Sequence, residues 1–204
     1  MEKKTHTEGR DSYHHGDLRA QLIEATRMLV EQKGPDHFSV SEACRVAGVS
    51  TAAPYKHFKS KEEMLKAVTL DGMLRHRQQM LDELEKHEIG VLDRIVGLGR
   101  VYVSFAQAEP GVFRLMFALS ESHAEDEELV QTGDDTFALV QLEVARCKGR
   151  EVIDADDIHR AFLLWSFVHG LSFLLIDGKL ANKDVPFDLE FFLEDIARRV
   201  VGQD

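Results

Sequence analysis

The sequence predicts an all-α protein, with an N-terminal three-helix helix-turn-helix domain followed by a C-terminal helical domain. Two Ser-x-x-Glu capping motifs precede apolar segments in the first third of the chain, and apolar residues recur at helical spacing through most of the remainder. No segment requires a strand. The 204 residues, 44% hydrophobic and 30% charged, are enough for two small domains with buried cores.

The first two helices follow from apolar spacing and from caps. Residues 16–34 carry an apolar stripe with the 3.6-residue period of a helix. The stripe consists of Leu18, Leu22, Ala25, Leu29 and Val30. Ser39-x-x-Glu42 fits a capping box and predicts a short second helix, about Ser41 to Ala47, that ends at Gly48.

The third and fourth helices are predicted in the same way. Ser50 or Thr51 can cap a third helix, and Pro54 falls in its first turn, where its missing N–H removes no hydrogen bond. A second capping box, Ser60-x-x-Glu63, predicts a long fourth helix that continues to roughly His87.

Together, these short helices and the glycine turn match the helix-turn-helix arrangement, which presents the N-terminal residues of its second short helix to the major groove. Thr51 and Ala53 are small enough for close approach, and Lys56 can reach a base acceptor or a phosphate. The side chains suited to flanking phosphates are Tyr55, His57 and Lys61. The alternative is that this segment only holds a small core together, which is the interpretation we favour for Phe58.

Charge is distributed unevenly along the chain. Residues 1–66 contain 11 Lys and Arg against 10 Asp and Glu, whereas residues 67–204 contain 14 against 26. The net charge of −11 therefore comes from the second part. The first part can still present local positive potential to a polyanion.

Three stretches carry a resemblance to a known family: YHHGDLRAQLIEAT, FSVSEACRVAGVSTAAPYKHFKSKEEML and WSFVHG. They resemble the tetracycline-repressor (TetR) family of bacterial regulators, most specifically in residues 13–68. Trp165, His169 and Gly170 resemble the pattern of a Trp-His-Gly subgroup. The resemblance implies an all-helical homodimer that binds a palindromic DNA operator and is released by a small-molecule effector, hence a cytoplasmic repressor without a cofactor.

The resemblance also implies which residues contact DNA. The residues that occupy the matching positions are Ser39, Ser41, Thr51, Ala52, Ala53, Tyr55, Lys56, His57 and Lys61. Residues 13–66 are then the DNA-binding domain with the start of the connecting helix, and residues 67–204 the effector-binding and dimerisation domain.

The segment from Asp154 to Gly178 predicts a helix that is apolar on all sides. The last helix is equally apolar, and its apolar residues are Leu189, Phe192, Leu193, Ile196 and Val200. A second buried face in so small a domain predicts a partner, and the two helices together suggest the four-helix dimer interface that the resemblance implies. A purely intramolecular core is the alternative.

An effector pocket is predicted in the aromatic and Met-rich segment and the helices that would cover it. The candidate residues are Phe105, Phe113, Met116, Phe117, Phe137, Gln141, Trp165 and His169. Such residues are also typical of a core. An apolar pocket would favour a lipophilic or aromatic effector.

The residue patterns of enzymes and secreted proteins are not found. The two cysteines form neither a zinc pattern nor a disulfide framework, and no metal site is predicted. His76, His87, His123 and His159 stand singly among charged residues and are expected to be solvated. No apolar run approaches the roughly 20 residues of a membrane span. Two alternatives remain open: an architectural DNA-binding protein without ligand control, and a helical metal-dependent enzyme.

Overall fold

A computed structural model describes residues 13–118, 126–180 and 187–202, with side chains from residue 18 onward. Within these ranges the chain forms eight α-helices and one 3-10 helix, and it contains no strand. The predicted all-α class is therefore confirmed. The chain divides into two compact units, Met1–Thr69 and Leu70–Asp204.

The first unit contains helices α1 (Tyr13–Lys33) and α2 (Val40–Val46), a 3-10 helix (Pro54–Lys56) and the beginning of α3 (Lys61–Leu84). Gly34, at φ 82°, follows α1 in the left-handed conformation that glycine adopts without strain. The buried side chains of this unit form its core. They include Leu22, Leu29, Val30, Phe38, Ala43, Phe58, Met64 and Val68.

Both predicted caps form, although neither forms the full reciprocal box. The Oγ atoms of Ser39 and Ser60 each accept a hydrogen bond from the amide three residues later, at 3.2 Å. The Glu42 carboxylate instead binds Lys33, 2.5 Å away, and Glu63 accepts from the Lys59 amide at 2.6 Å. The serines therefore start the two helices, while the glutamates stabilise neighbouring groups.

The predicted short third helix is present only as a 3-10 helix. The segment contains only the 3-10 helix Pro54–Lys56, preceded by a turn in which the Ala53 amide donates to the Ser50 carbonyl at 3.0 Å. Pro54 has no N–H with which to continue an i→i−4 ladder from Ser50, and the His57 and Phe58 amides both donate to its carbonyl at 2.8 Å. The segment thus closes after one tight turn.

The second unit comprises the rest of α3 and five further helices. They are α4 (Leu92–Ala108), α5 (Pro110–Phe117), α6 (Glu127–Cys147), α7 (Ala155–Ile176) and α8 (Leu189–Val201). Helix α4 is the central helix because it packs against α5, α6, α7 and α8, and all residues from Arg94 to Gly99 are buried. Gly99 permits close contact here, since a Cβ would lie 2.9 Å from Leu193.

Helix α7 has two apolar sides, as predicted, but the described residues of this chain cover only one of them. Ala161, Leu164, Val168 and Leu171 are buried. The apolar side chains exposed on α7 and α8 are Ile158, Phe162, Leu163, Leu174 and Phe191. By length and composition alone α7 could cross a membrane, contrary to our expectation, but it packs on α4, α6 and α8.

A buried ion pair joins α4 to α6. The Arg94 guanidinium donates to both oxygens of the Glu143 carboxylate, at 2.6 and 3.0 Å. It also donates to the carbonyl of Leu84, the last residue of α3, and to that of His87 just beyond it, at 2.6 and 2.9 Å. Arg146 adds a further bond to Glu143 at 3.0 Å. This network satisfies two buried charges and four acceptors in one place.

We expect Arg94→Leu to lower the free energy of unfolding by about 3–5 kcal/mol, because Glu143 would lose its main partner while it stays buried. Urea denaturation of the purified protein measures the loss. The matched control is Arg199→Leu, which breaks an exposed pair with Asp195 and should cost at most about 1 kcal/mol. Equal losses in the two variants would contradict the role assigned to the buried pair.

Candidate DNA-reading surface and ligand cavity

The residues predicted to read DNA lie in and around the turn after α2. Thr51, Ala52, Tyr55 and Lys56 are exposed, and Tyr55 has 67% of its surface accessible. Ala53 and His57 are half-buried. The exposed side chains offer two hydroxyl groups and one ammonium group, which suit phosphate oxygens and base edges.

Two buried residues anchor this turn to the first unit. Pro54 is buried, and Phe58 is 4% exposed, with the Arg19 guanidinium above its ring at 5.3 Å from the centroid. Phe58 is therefore a core residue, as we favoured from the sequence. Because the turn is fixed by these contacts, Tyr55 and Lys56 project from a supported backbone.

The remaining DNA-contact candidates differ in their surroundings. Ser41 is exposed in the first turn of α2, whereas the Ser39 hydroxyl already caps that helix. Lys61 is half-buried at the start of α3, with its ammonium 4.3 Å from the centroid of the Phe38 ring. A cation at this position can still bind phosphate beside the free amides of the helix end.

The second unit contains a partly open cavity of about 360 Å³ between its helices. Helices α3, α4, α5, α6, α7 and α8 all contribute to its wall. The wall is mostly apolar. It is formed by Met73, His76, Met80, Ile95, Leu98, Gly99, Tyr102, Met116, Phe117, Gly133, Asp134, Thr136, Phe137, Val140, Leu164, Trp165, Val168, Leu193, Ile196 and Ala197.

The structure brings together some of the predicted pocket residues. Met116, Phe117, Phe137 and Trp165 line the cavity. Phe105 and Phe113 lie in the core, 3% and 1% exposed, and they are not part of the cavity wall. Gln141 and His169 are half-buried and also lie outside the wall.

Three polar rings form a network at one side of the cavity. The Trp165 Nε1–H donates to the Tyr102 hydroxyl at 3.1 Å, and that hydroxyl lies 2.8 Å from His169 Nδ1. The arrangement satisfies all three groups if Tyr102 donates to an unprotonated Nδ1. Burial raises the pKa of Tyr102 and lowers the pKa of His169, so both groups are neutral near pH 7.

His76 corrects a sequence-based expectation. We expected a solvated side chain, but His76 is 5% exposed and lines the cavity. Its ring lies against Tyr102 and Phe105, with centroids 5.3 and 5.1 Å away. Burial lowers its pKa to about 4. The spacing of Met73, His76 and Met80 in the sequence could have predicted this burial, because it places all three on one face of α3.

A cluster of carboxylates elsewhere has the composition of a cation site. Asp154, Asp156 and Asp157 bring their oxygens within 4.8 Å of one another at the start of α7. Asp154 and Asp157 cap this helix reciprocally. The cationic partners of the cluster are Lys148, Arg150 and Arg160. Caps and ion pairs therefore account for this cluster.

Comparison with known families matches both parts of the chain. A family model described as "Tetracyclin repressor-like, C-terminal domain" matches residues 95–200, and one described as "Bacterial regulatory proteins, tetR family" matches residues 22–68. The Trp-His-Gly subgroup is not confirmed by these matches and stays a prediction.

Individual proteins are similar over different spans. The nucleoid occlusion factor SlmA of Marinomonas sp. (strain MWYL1) is 27% identical over 106 residues, which are 50% of this chain and 51% of that protein. This chain thus spans about half the length of that curated relative.

Two solved structures share the fold over nearly the whole chain. A protein of unknown function from Rhodococcus sp. RHA1 superposes with a TM-score of 0.78 and 27% identity, over 95% of this chain and 98% of that one. A transcriptional regulator of the TetR/AcrR family from Thermobifida fusca YX-ER1 gives a TM-score of 0.65 and 18% identity, over 92% and 98%. The latter likeness shows the fold alone.

We expect Tyr102→Phe to lower the free energy of unfolding by about 1–3 kcal/mol, because the Trp165 N–H and His169 Nδ1 would both lose their partner. Thermal unfolding measures the loss. The fluorescence of Trp165, the single tryptophan of the chain, should also change because its N–H loses a hydrogen bond. Tyr55→Phe is the control, since its exposed hydroxyl can bind water in either state. Unchanged stability of Tyr102→Phe would show that the network contributes nothing to the fold.

Proposed function

The chain belongs to the tetR family of bacterial regulatory proteins, and on that premise we propose that it is a cytoplasmic, ligand-responsive repressor. In this proposal it binds a palindromic operator as a homodimer through Thr51 to Lys61. A lipophilic or aromatic effector in the cavity releases it. The observation that carries the proposal is a mostly apolar cavity in a chain whose first unit presents Tyr55 and Lys56 on a supported turn.

Helix α3 is the element through which an effector would act. It begins at Lys61, among the DNA-contact candidates, and contributes Met73, His76 and Met80 to the cavity wall. Gly72 on the same helix lies so close to Val112 that an added Cβ would be 2.5 Å from that side chain. An effector that displaces these contacts shifts α3. It releases DNA only if it binds the DNA-incompetent state more tightly.

The dimer is proposed to form through α7 and α8. Several of their apolar side chains are exposed in the described part of the chain, and exposed apolar surface of this kind is typical of an interaction site. Two copies related by a two-fold axis would place two reading turns in successive major grooves, about 34 Å apart.

A second candidate function is that of an architectural DNA-binding protein without ligand control, the alternative that the sequence left open. The similarity to a protein named nucleoid occlusion factor favours it, although it covers only half of each chain. Ligand-dependent release from DNA separates the two candidates.

Selection of random DNA by the purified protein tests the DNA-binding part of the proposal. We expect an inverted repeat to be enriched, and we expect Lys56→Ala to weaken binding to that repeat by about 1–3 kcal/mol while binding to random DNA changes less. Lys179→Ala, an exposed lysine of the second unit, is the matched control and should change neither. Equal loss on all sequences would make Lys56 a phosphate contact, and no enriched sequence at moderate salt would refute the reading surface.

Phe162→Glu tests the dimer, because it places a charge in the proposed apolar interface. We expect sedimentation velocity to show monomers, and far-UV circular dichroism to show that their helical content is unchanged. Ile89→Glu is the control: Ile89 is an exposed apolar residue outside these helices, and its replacement should leave the dimer intact. A Phe162→Glu variant that remains a dimer would place the interface elsewhere.

A further inference from the structure

The imidazole of His76 lines the cavity and has a nitrogen without a hydrogen-bond partner among the described residues. This side chain is 5% exposed, and the nitrogen without a partner is Nε2. A buried polar atom left in this state destabilises the protein, and native structures contain few of them. Because Nε2 itself has almost no accessible surface, a ligand in the cavity would supply the missing partner after a small shift of the ring or of its neighbours.

Apart from Asp134, which is exposed to solvent, the other hydrogen-bonding side chains of the described cavity wall have partners within the fold. The Trp165 N–H and the Tyr102 hydroxyl bind each other, and that hydroxyl also binds His169. The Thr136 hydroxyl donates to the Thr132 carbonyl at 2.7 Å. Among the neutral side chains of the described wall, His76 is therefore the one with an unpartnered buried hydrogen-bonding atom.

The charge of the wall restricts the ligand further. No lysine or arginine is among the described residues that line the cavity, and the one charged residue among them is Asp134. Burial lowers the pKa of His76 to about 4, which leaves the imidazole neutral at physiological pH, with one N–H donor and one acceptor. An anionic ligand would lose its hydration here without gaining a counter-charge.

We propose that the cavity binds a neutral, largely apolar or aromatic molecule whose single hydroxyl or carbonyl group hydrogen-bonds to His76. The volume of about 360 Å³ falls within the range of about 300–1,000 Å³ of small-molecule sites. Contacts with Tyr102 and Phe105 hold the imidazole in place. That this molecule is the effector rests on the proposed function, whereas the binding site itself does not.

Equilibrium dialysis of the full-length protein against three matched probes tests the proposal. The probes are 4-phenylphenol, biphenyl and biphenyl-4-carboxylate, which differ only in a hydroxyl, a hydrogen and an ionised carboxyl group. We expect the phenol to bind about tenfold more tightly than biphenyl, as one satisfied buried hydrogen bond allows, and the carboxylate to bind most weakly. Quenching of Trp165 fluorescence gives a second readout, since Trp165 lines the cavity.

Three variants test whether His76 causes the preference for the phenol over biphenyl. His76→Phe keeps a ring of similar size and should bind biphenyl at least as tightly as the wild type does, while the advantage of the phenol disappears. His76→Gln retains a donor and an acceptor and should preserve part of that advantage. Met73→Leu alters the same wall without a hydrogen-bonding group, so it should leave the ratio of phenol to biphenyl affinity unchanged.

Two results would overturn the proposal: a wild-type protein that binds none of the three probes, and a His76→Phe variant that keeps the full preference for the phenol. Failure here is distinguishable from failure of the proposed function, because dialysis involves no DNA and operator selection involves no ligand. An enriched inverted repeat with no probe bound would refute only the ligand class. Probe binding through His76 without any enriched DNA would refute only the regulator.

Discussion

The buried ion pair between Arg94 and Glu143 is the constraint on which the second unit depends. Removing two charges from water is costly, and only the additional bonds to the Leu84 and His87 carbonyls and from Arg146 make the arrangement favourable. These bonds fix the end of α3, the start of α4 and the last turns of α6 relative to one another. The same three helices form much of the cavity wall. No side chain fills the cavity, so contacts elsewhere have to fix the relative positions of the helices around it.

The sequence predicted the fold well wherever the determinant was local. Ser39 and Ser60 start their helices because a hydroxyl satisfies an amide three residues later, a relation visible in any sequence. Pro54 begins a helix, as predicted, but this helix is a single 3-10 turn for a physical reason. A proline is tolerated in the first turn of an α-helix, but the segment that follows it must also be long enough to continue, and here Phe58 turns into the core after four residues.

The ligand cavity was less predictable, because its wall comes from six helices whose order in space depends on long-range packing. Aromatic residues such as Phe113 and Phe117 have the same sequence signature, yet Phe113 is 1% exposed in the core and Phe117 lines the cavity. His76 was misread because Arg75 and Arg77 flank it. On a helix those neighbours point about 100° away on either side, so residues three and four positions distant describe its surroundings better.

Helix α7 takes part in both effector binding and dimerisation in the proposed regulator. Leu164, Trp165 and Val168 face the cavity, while Phe162 and Leu163 face outward on the same two turns. A helix is stiff over such a distance, so a ligand that displaces Trp165 also displaces the outward residues beside it. In the proposed dimer, effector binding and subunit packing are therefore energetically coupled. By reciprocity, if the effector changes the dimerisation constant by some factor, dimerisation changes the affinity for the effector by the same factor.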